Sequence, residues 1–420
     1  MKRKYTYKKS SIKYQISLLL VLFSMQIYAQ NKEYAYSIVD TLTQASYGGR
    51  AYDGSDLKAA GFIAGEMKRI GLSPVGNSYF QHFPLAINSI KEVNISLNDK
   101  KLIAGKEYLT LLSSPSLQGT FQTMYMPADS NGKIHLIKNP SVYKEIFVAT
   151  DLSPQEFKKQ FNLDVRGIIY LKEKAFFWHI SDGREVSDKV EIYLKKELFT
   201  ADIETITIDL KTQFQTVYMT QNVLGIIKGT RYPDQYIFIT AHYDHLGRMG
   251  KETFFPGGHD NASGTAMVLD LAHYYAKHPS AYSLVFVLFS GEEAGLLGSF
   301  HYVKHPLISL KKTKFVLNLD LMGAGSEGIM VVNGKEYPKY FKKLKKINRC
   351  RRLLPQIKAR GKAANSDHYP FSQMGVPAFF FYTLGDESTE YHSPGDNLSN
   401  VHFSDYEDLF KLIITFVKKI

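Results

Sequence analysis

Residues 236–245 read Tyr-Ile-Phe-Ile-Thr-Ala-His-Tyr-Asp-His, an apolar run that ends in a group of polar side chains. Apolar runs of the same kind recur at residues 283–289, 315–319 and 378–383. Each run is short, nearly continuous and rich in β-branched or aromatic residues, which is typical of strands covered on both faces of a parallel sheet. The pattern predicts an α/β fold with a doubly wound, mixed and mostly parallel sheet flanked by helices.

Side chains that can bind metals or transfer protons follow each predicted strand. They are His242, Glu292, Glu293, Asp320 and His392. In an open α/β sheet, ligands bind in the crevice outside the carboxyl ends of the strands. We therefore expect separate segments of the chain to deliver these side chains to a single site.

The residue types suit zinc. Zinc takes imidazole nitrogen and carboxylate oxygen ligands, and a catalytic zinc keeps one position open for water. The candidate ligands are His242, Asp260, Glu293, Asp320 and His392. A bridging carboxylate can hold two cations because each of its oxygens faces one metal. We expect Asp260 to be that bridge in a site for two Zn²⁺ ions per chain.

Five motifs carry a resemblance to a known family. They are Ala-His-Tyr-Asp-His-Leu-Gly at 241–247, Asp-Asn-Ala-Ser-Gly at 260–264, Gly-Glu-Glu-Ala-Gly-Leu-Leu-Gly-Ser at 291–299, Asn-Leu-Asp-Leu-Met-Gly at 318–323 and Tyr-His-Ser-Pro-Gly-Asp at 391–396. In this order they resemble the co-catalytic di-zinc aminopeptidases, which include bacterial leucyl aminopeptidases, aminopeptidase Y and, more distantly, glutamate carboxypeptidase II. The resemblance covers residues 216–420 well and 33–90 moderately, and it implies a fold of the zinc exopeptidase type.

The resemblance also implies a role for each residue. It assigns one zinc to His242, Asp260 and Asp320, and the other to Asp260, Glu293 and His392. Glu292 becomes the general base, and Asp244 the residue that orients His242. Asp244 lies two residues beyond His242, close enough to accept the free N–H of its ring. We expect Glu292 to take a proton from a metal-bridging water that then attacks a peptide carbonyl.

The other histidines near these motifs are expected to be structural or to support the ligands. They are His245, His259, His301, His305 and His368.

The predicted function is hydrolysis of N-terminal amino acids from peptides by an exported zinc aminopeptidase, and three alternatives stay open. A zinc carboxypeptidase would need a basic pocket for the substrate carboxylate, which the sequence does not identify. A glutaminyl cyclase has a similar sheet, but the intact Asp260 and residues 294–299 argue against it. A catalytically idle binding module would be expected to have lost a ligand or Glu292.

Residues 1–29 have the pattern of a signal peptide. Six Lys or Arg residues precede an apolar stretch at 16–23, and Ala29 is a suitable cleavage residue. The apolar stretch is short for a membrane span. We expect export to the periplasm or the exterior, with no stable membrane span after cleavage.

The rest of the chain divides into two predicted domains. Residues 30–90 and 216–420 are predicted to form the zinc peptidase domain, with helices over 34–43, 55–70, 262–277 and 406–419. Residues 91–215 are predicted to form an inserted, mostly β domain. Its short runs at 93–97, 119–126 and 167–171 are separated by turn residues. Many relatives carry a protease-associated domain at this point, and residues 164–170 are similar to one of its strands.

Charge and cysteine content limit the partners. The predicted signal peptide carries half of the +12 formal charge, which leaves a weak basis for a nucleic-acid partner. We therefore expect peptide substrates and no nucleic acid; the oligomeric state is not indicated. Residues 335–362 hold twelve Lys or Arg and one acidic residue, a run interpreted as a solvated face. Because Cys350 is the only cysteine, no intramolecular disulfide can form.

Overall fold

The computed structural model describes residues 31–128, 143–174 and 177–420. The predicted signal peptide lies outside the described residues. The helices of the described ranges are α1 (Lys32–Thr43), α2 (Ser55–Ile70), α3 (Pro154–Gln160), α4 (Ser263–Lys277), α5 (Leu297–Lys304), α6 (Pro338–Arg351), α7 (His368–Gln373) and α8 (Tyr406–Val417). The predicted helix over 55–70 is confirmed, and it ends at Gly71, whose φ of 95° suits a residue without a Cβ.

The strands fall into a central group and a group between residues 80 and 227. They are β1 (Ser73–Pro74), β2 (Phe80–Leu97), β3 (Lys100–Lys101), β4 (Tyr108–Thr110), β5 (Leu117–Tyr125), β6 (Ile146–Thr150), β7 (Gly167–Lys172), β8 (Val190–Lys195), β9 (Thr205–Ile227), β10 (Tyr232–His242), β11 (Gly247–Met249), β12 (Thr253–Phe255), β13 (Tyr282–Phe289), β14 (Thr313–Leu319), β15 (Gly328–Val332), β16 (Ile357–Ala359) and β17 (Ala378–Leu384).

The central sheet is mixed and mostly parallel, as predicted. Its strand order is β9, β13, β10, β14, β17, β15, β16. The strands β13, β10, β14 and β17 run parallel to one another. Strand β9 pairs antiparallel with β13, and β15 pairs antiparallel with β17 but parallel with β16. The four apolar runs of the sequence are the four parallel strands, so their carboxyl ends meet at one edge of the sheet.

Both faces of this sheet are buried under helices. Ile237 and Ile239 of β10 pack into the core that contains α1, α2, α4 and α8, whereas Phe238 between them packs into a second core with Tyr302 of α5 and Phe371 of α7. Successive side chains of a strand point to opposite faces. Since both faces are covered, the strands read as continuous apolar runs rather than as an alternating pattern.

Residues 91–215 are mostly β, as expected from the sequence. Strands β5, β6, β7 and β8 follow β9 in a sheet that ends with β4, and α3 is the α-helix among its described residues. The long antiparallel pair β2 and β9 runs across both predicted domain boundaries, at residues 90 and 215. The boundaries themselves stay a prediction.

Within the described ranges, no helix combines the length and the apolar character that crossing a bilayer requires.

Candidate active site

The predicted metal ligands converge at the carboxyl edge of the parallel strands. His242 is the last residue of β10, and Asp320 directly follows β14. Glu293 lies in the turn after β13, and His392 lies in the loop after β17. Asp260 comes from the segment that precedes α4, and its peptide bond to Asn261 is cis. His242, Asp260, Asp320 and His392 are each at most 5% exposed.

Asp260 lies between two imidazole rings. Its Oδ1 is 3.2 Å from Nε2 of His242, and its Oδ2 is 3.1 Å from Nε2 of His392. Each ring nitrogen also faces a second carboxylate. Nε2 of His242 is 3.2 Å from Oδ1 of Asp320, and Nε2 of His392 is 3.4 Å from Oε2 of Glu293. The structure thus brings together all five predicted ligands, in the two overlapping sets expected from the sequence.

These spacings fit zinc. Ligand atoms at tetrahedral positions about 2.0–2.2 Å from zinc stand roughly 3.3–3.6 Å apart, close to the separations observed here. The buried Nε2 of His392 makes no hydrogen bond within the described residues, although two carboxylates face it. Two groups whose donor atoms lie within 4.8 Å of one another are His242, Glu292 and Asp320, and His245, Asp260 and Glu293. The donor set is therefore suited to hold two cations side by side.

The electrostatics of the ligands also favour a cation. Although burial favours the neutral imidazole, Asp320 and Glu292 raise the pKa of His242 well above its usual value. Burial would raise the pKa of Asp260, but the close imidazole rings of His242 and His392 lower it well below the usual value. Buried carboxylates outnumber the positive groups, and in proteins such clusters are paired or coordinate metals.

Asp244 organises the loop that carries the two glutamates. One of its oxygens accepts the backbone N–H of Glu292 and the other that of Glu293, each at 3.2 Å, and the hydroxyl of Tyr52 donates to the second oxygen at 2.6 Å. The ring Nδ1 of His242 lies 3.1 Å from the backbone carbonyl of Asp244 and 3.7 Å from its carboxylate. The nearer partner of the His242 ring is therefore the backbone carbonyl of Asp244, and not the carboxylate expected from the sequence.

Glu292 and Glu293 are adjacent but have opposite electrostatic environments. Burial raises the pKa of Glu292 well above its usual value; His242 opposes the shift, and Glu293 and Asp320 add to it. Burial would also raise the pKa of Glu293, but the charge of His392 and a hydrogen bond with His245 outweigh it and lower the pKa to about 2. A bound cation would lower the pKa values of both glutamates. Pairs of carboxyl groups with separated pKa values are typical of sites that use one as an acid or base and the other as a charge.

His245 contacts the predicted ligand Glu293, as expected for a histidine that supports the ligands. Its Nδ1 is 2.9 Å from Oε1 of Glu293, so Oε2 of that carboxylate is left to face His392. His259 is structural, since its Nδ1 accepts the backbone N–H of Gly323 at 3.0 Å. Burial lowers the pKa of His259 to about 4, which keeps the ring neutral at physiological pH.

Arg50 holds the segment that presents Asp260. Its guanidinium is completely buried and donates to the backbone carbonyls of Leu42, Tyr243, Pro256, Gly257 and Asp260. A single arginine in the sequence carries no pattern that predicts this role.

Asp396 and Ser366 fix two of the ligands. The carboxylate of Asp396 accepts the backbone N–H of His259 at 2.7 Å and of Asp260 at 3.0 Å. The hydroxyl of Ser366 donates to Oδ2 of Asp320 at 2.7 Å, which leaves Oδ1 directed at His242. Asp396 ends the last of the five motifs, so its position could have been noticed in the sequence.

A cleft of about 190 Å³ opens onto the ligands. Besides the ligands and Glu292, its walls are formed by Leu321, Arg360, Asn365, Phe380, Tyr382 and Tyr391. The exposed ring of Phe177, from the predicted inserted domain, packs edge-on against Tyr391 with 5.5 Å between ring centroids. Both parts of the chain therefore contribute to the surroundings of the site.

Comparison with known proteins shows which family the part of the chain with the five motifs resembles. The model of peptidase family M28 matches residues 222–417, which hold all five motifs. Aminopeptidase YwaD of Bacillus subtilis (strain 168) is 28% identical over 400 residues, covering 88% of this chain and 80% of that protein. Residues 222–417, the part of the chain that carries the five motifs, therefore match peptidase family M28.

Solved structures support the fold of the chain. BSAP, a zinc aminopeptidase from Bacillus subtilis, matches with a TM-score of 0.71 and 22% identity over 93% of this chain and 95% of that chain. A Porphyromonas gingivalis glutaminyl cyclase matches with a TM-score of 0.52 and 11% identity over 94% of this chain and 99% of that chain. At such identities the likeness concerns the fold, so the activity has to be argued from the site.

Proposed function

We propose that this protein is a zinc-dependent aminopeptidase that uses two co-catalytic zinc ions. The observation that carries the proposal is the position of Asp260, whose two oxygens face His242 and His392 at 3.2 and 3.1 Å. Asp320 completes the first set and Glu293 the second. The name of the similar Bacillus subtilis protein, an aminopeptidase, supports the same reading.

Residues around the proposed zinc ions have different roles in the proposed reaction. Bound zinc would polarise the substrate carbonyl and lower the pKa of a water molecule. Glu292 takes a proton from the attacking water and returns it to the leaving amine. Asp244 holds the backbone of Glu292 and Glu293 in place, so that one side chain serves as base and the other as ligand.

The size and charge of the cleft support an enzyme that removes one amino acid at a time from the end of a peptide. Pockets for drug-sized ligands are about 300–1,000 Å³, and this cleft is smaller, at about 190 Å³. Its acidic residues Glu292 and Asp320 provide a favourable electrostatic environment for the α-ammonium group of a peptide. A small, acidic cleft suits an exopeptidase better than an enzyme that cuts within long chains.

We further propose that the protein acts after export, in the periplasm or outside the cell. The basic and apolar pattern of residues 1–29 supports this location. The absence of a possible intramolecular disulfide means that the apolar core and the proposed metals provide the stability.

The test is release of free amino acids from a mixed peptide library by the zinc-loaded protein. The same peptides with blocked N-termini run in parallel, and bound zinc is counted by elemental analysis. We expect release from free N-termini alone, about two zinc ions per chain, and loss of activity with a chelator that zinc restores.

Other outcomes would change the assignment in defined ways. Release that N-terminal blocking does not affect would contradict an aminopeptidase and favour a carboxypeptidase or an endopeptidase. Full activity with one bound zinc would remove the second ion from the mechanism. Two bound zinc ions without release would favour a cyclase or a binding protein.

A further inference from the structure

Arg360 is a positive side chain at the wall of the active-site cleft. The other charged residues of that wall are the carboxylates of Asp260, Glu292, Glu293 and Asp320, apart from the histidine His242. A carboxypeptidase was expected to need a basic group for the substrate carboxylate, and the sequence did not single one out. Arg360 lies in the run 335–362 with eleven other Lys or Arg residues, and the sequence pattern does not distinguish it from them.

The backbone at Arg360 is held firmly although the side chain is exposed. Its N–H donates to the carbonyl of Val331 at 2.9 Å, and its carbonyl accepts the N–H of Lys335 at 3.3 Å. These bonds continue the pairing of β15 with β16, which ends one residue earlier. The guanidinium therefore extends from a fixed point of the main sheet.

The guanidinium has no partner in the part of the chain that the structure describes. Neither a hydrogen bond of its side chain nor an ion pair within 4.0 Å occurs there, even though the cleft is acidic. The ligand carboxylates instead face His242, His392 and His245. Arg360 thus keeps its hydrogen-bond donors available at the place where a substrate must bind.

We propose that Arg360 binds a carboxylate of the substrate. A guanidinium presents paired N–H donors that match the two oxygens of a carboxylate, and the resulting bond is stronger than one between neutral groups. In a cleft of about 190 Å³ this carboxylate is either the C-terminus of a dipeptide or the side chain of Asp or Glu near the scissile bond. The inference rests on the proposed peptidase function and gives it a substrate class, short or acidic peptides.

The experiment compares kcat/KM for matched substrates with the zinc-loaded wild type and Arg360→Ala. Leu-Ala and its C-terminal amide test recognition of the terminal carboxylate. Leu-Glu-amide and Leu-Gln-amide test a side-chain carboxylate after the scissile bond. Glu-Ala-amide and Gln-Ala-amide test a side-chain carboxylate before it. We expect the wild type to prefer one carboxylate over its uncharged analogue, and Arg360→Ala to lose about 10- to 100-fold on that substrate while the analogue is unaffected. Lys358→Ala, a nearby exposed cation outside the cleft, is the control.

Each outcome has a defined meaning. If Arg360→Ala lowers kcat/KM equally for charged and uncharged substrates, Arg360 balances the acidic ligands instead, and the proposal is wrong. Equal rates for charged and uncharged substrates with the wild type, unchanged in the variant, would also contradict it while leaving the peptidase function intact. If the wild type cleaves none of these peptides or their N-acetyl forms, the proposed function itself fails.

Discussion

The ring Nδ1 of His392 lies 2.7 Å from the backbone carbonyl of Trp178, a residue 214 positions earlier in the chain. A carbonyl can only accept a hydrogen bond, so this contact places the ring proton on Nδ1 and leaves Nε2 free toward Asp260 and Glu293. Trp178 is itself buried, and its indole N–H donates to the carbonyl of Thr110 at 2.9 Å. The predicted inserted domain thereby orients a proposed zinc ligand.

Trp178→Ala should weaken zinc binding without removing any ligand. Loss of the indole frees the Trp178 backbone to shift, and changes to the partners of metal-bound histidines typically cost about 10- to 100-fold in metal affinity or activity. Zinc affinity is measured by competition with a chelator, at a temperature where the variant is shown to be folded. Val186→Ala, an exposed position between the same boundaries, serves as the control. Unchanged zinc affinity in a folded Trp178→Ala variant would mean that the contact does not position His392.

Glu292→Gln and Glu293→Gln should separate catalysis from metal binding. We expect Glu292→Gln to lower kcat by about 10²- to 10⁴-fold, the contribution of a general acid–base group, with its zinc content unchanged. Glu293→Gln should instead lose zinc, because this side chain faces Nε2 of His392 at 3.4 Å. Activity and zinc content are measured on the same samples, with exposed Glu327→Gln as the control. Zinc loss in the Glu292 variant, or full activity in it, would contradict the assigned roles.

The close approach of the proposed ligands could be predicted, because residues that follow parallel strands lie together at one edge of the sheet. His242 and Asp320 each follow an apolar strand, and parallel strands end at the same edge. The same logic applies to Glu293 after β13. Two histidines and three carboxylates are ligands that suit zinc. The strands and the motifs were therefore enough to predict which residues come together and which metal they suit.

The supporting contacts could not be predicted, because they depend on backbone groups or on single side chains. The carbonyl of Trp178 has no side-chain signature. The buried role of Arg50 depends on five backbone carbonyls, four of which lie more than 190 residues away in the sequence. Asp244 was placed correctly beside His242, but the sequence could not tell whether its carboxylate or its backbone lies closer to the ring. Arg360 differs from the other basic residues of its run only by its position in the fold.

Asp270 should make stability depend on pH. It is buried at 1% exposure and accepts the hydroxyl of Tyr406 at 2.9 Å, and its burial raises the pKa to about 6. Because the pKa is higher in the folded protein than in the unfolded chain, Asp270 favours folding at low pH. That contribution is lost as the pH rises from about 4 through about 6, and a shift of this size corresponds to roughly 3 kcal/mol.

The measurement is the free energy of unfolding of the wild type and Asp270→Asn between pH 4.5 and pH 8. Asparagine keeps an acceptor for Tyr406 but does not ionise, so the variant should gain stability relative to the wild type as the pH rises through about 6. Asp234→Asn, at an exposed position, is the control that should show no such trend. A constant difference between wild type and Asp270→Asn over this range would contradict a raised pKa.

Arg50→Lys should destabilise the protein although it conserves the charge. Burial lowers the pKa of Arg50 to about 10, against the opposing effect of nearby Asp396 and Asp260, so the group stays charged at neutral pH. Its side chain serves five backbone carbonyls, whereas a lysine has three donors on a single nitrogen. Each buried acceptor left without a partner costs about 1–3 kcal/mol. We therefore expect a loss of about 3 kcal/mol or more in the free energy of unfolding, measured with urea.

The same substitution should also reach the metal site, because two of the five carbonyls, those of Gly257 and Asp260, belong to the segment that presents the proposed bridging ligand. Zinc affinity of Arg50→Lys should fall even under conditions where the variant is fully folded. Arg248→Ala is the matched control: Arg248 is half-buried and donates to the carbonyl of Ala45 at 2.6 Å, remote from the ligands. If Arg50→Lys lowers stability no more than Arg248→Ala and binds zinc as tightly as the wild type, then the buried guanidinium does not hold Asp260 in place.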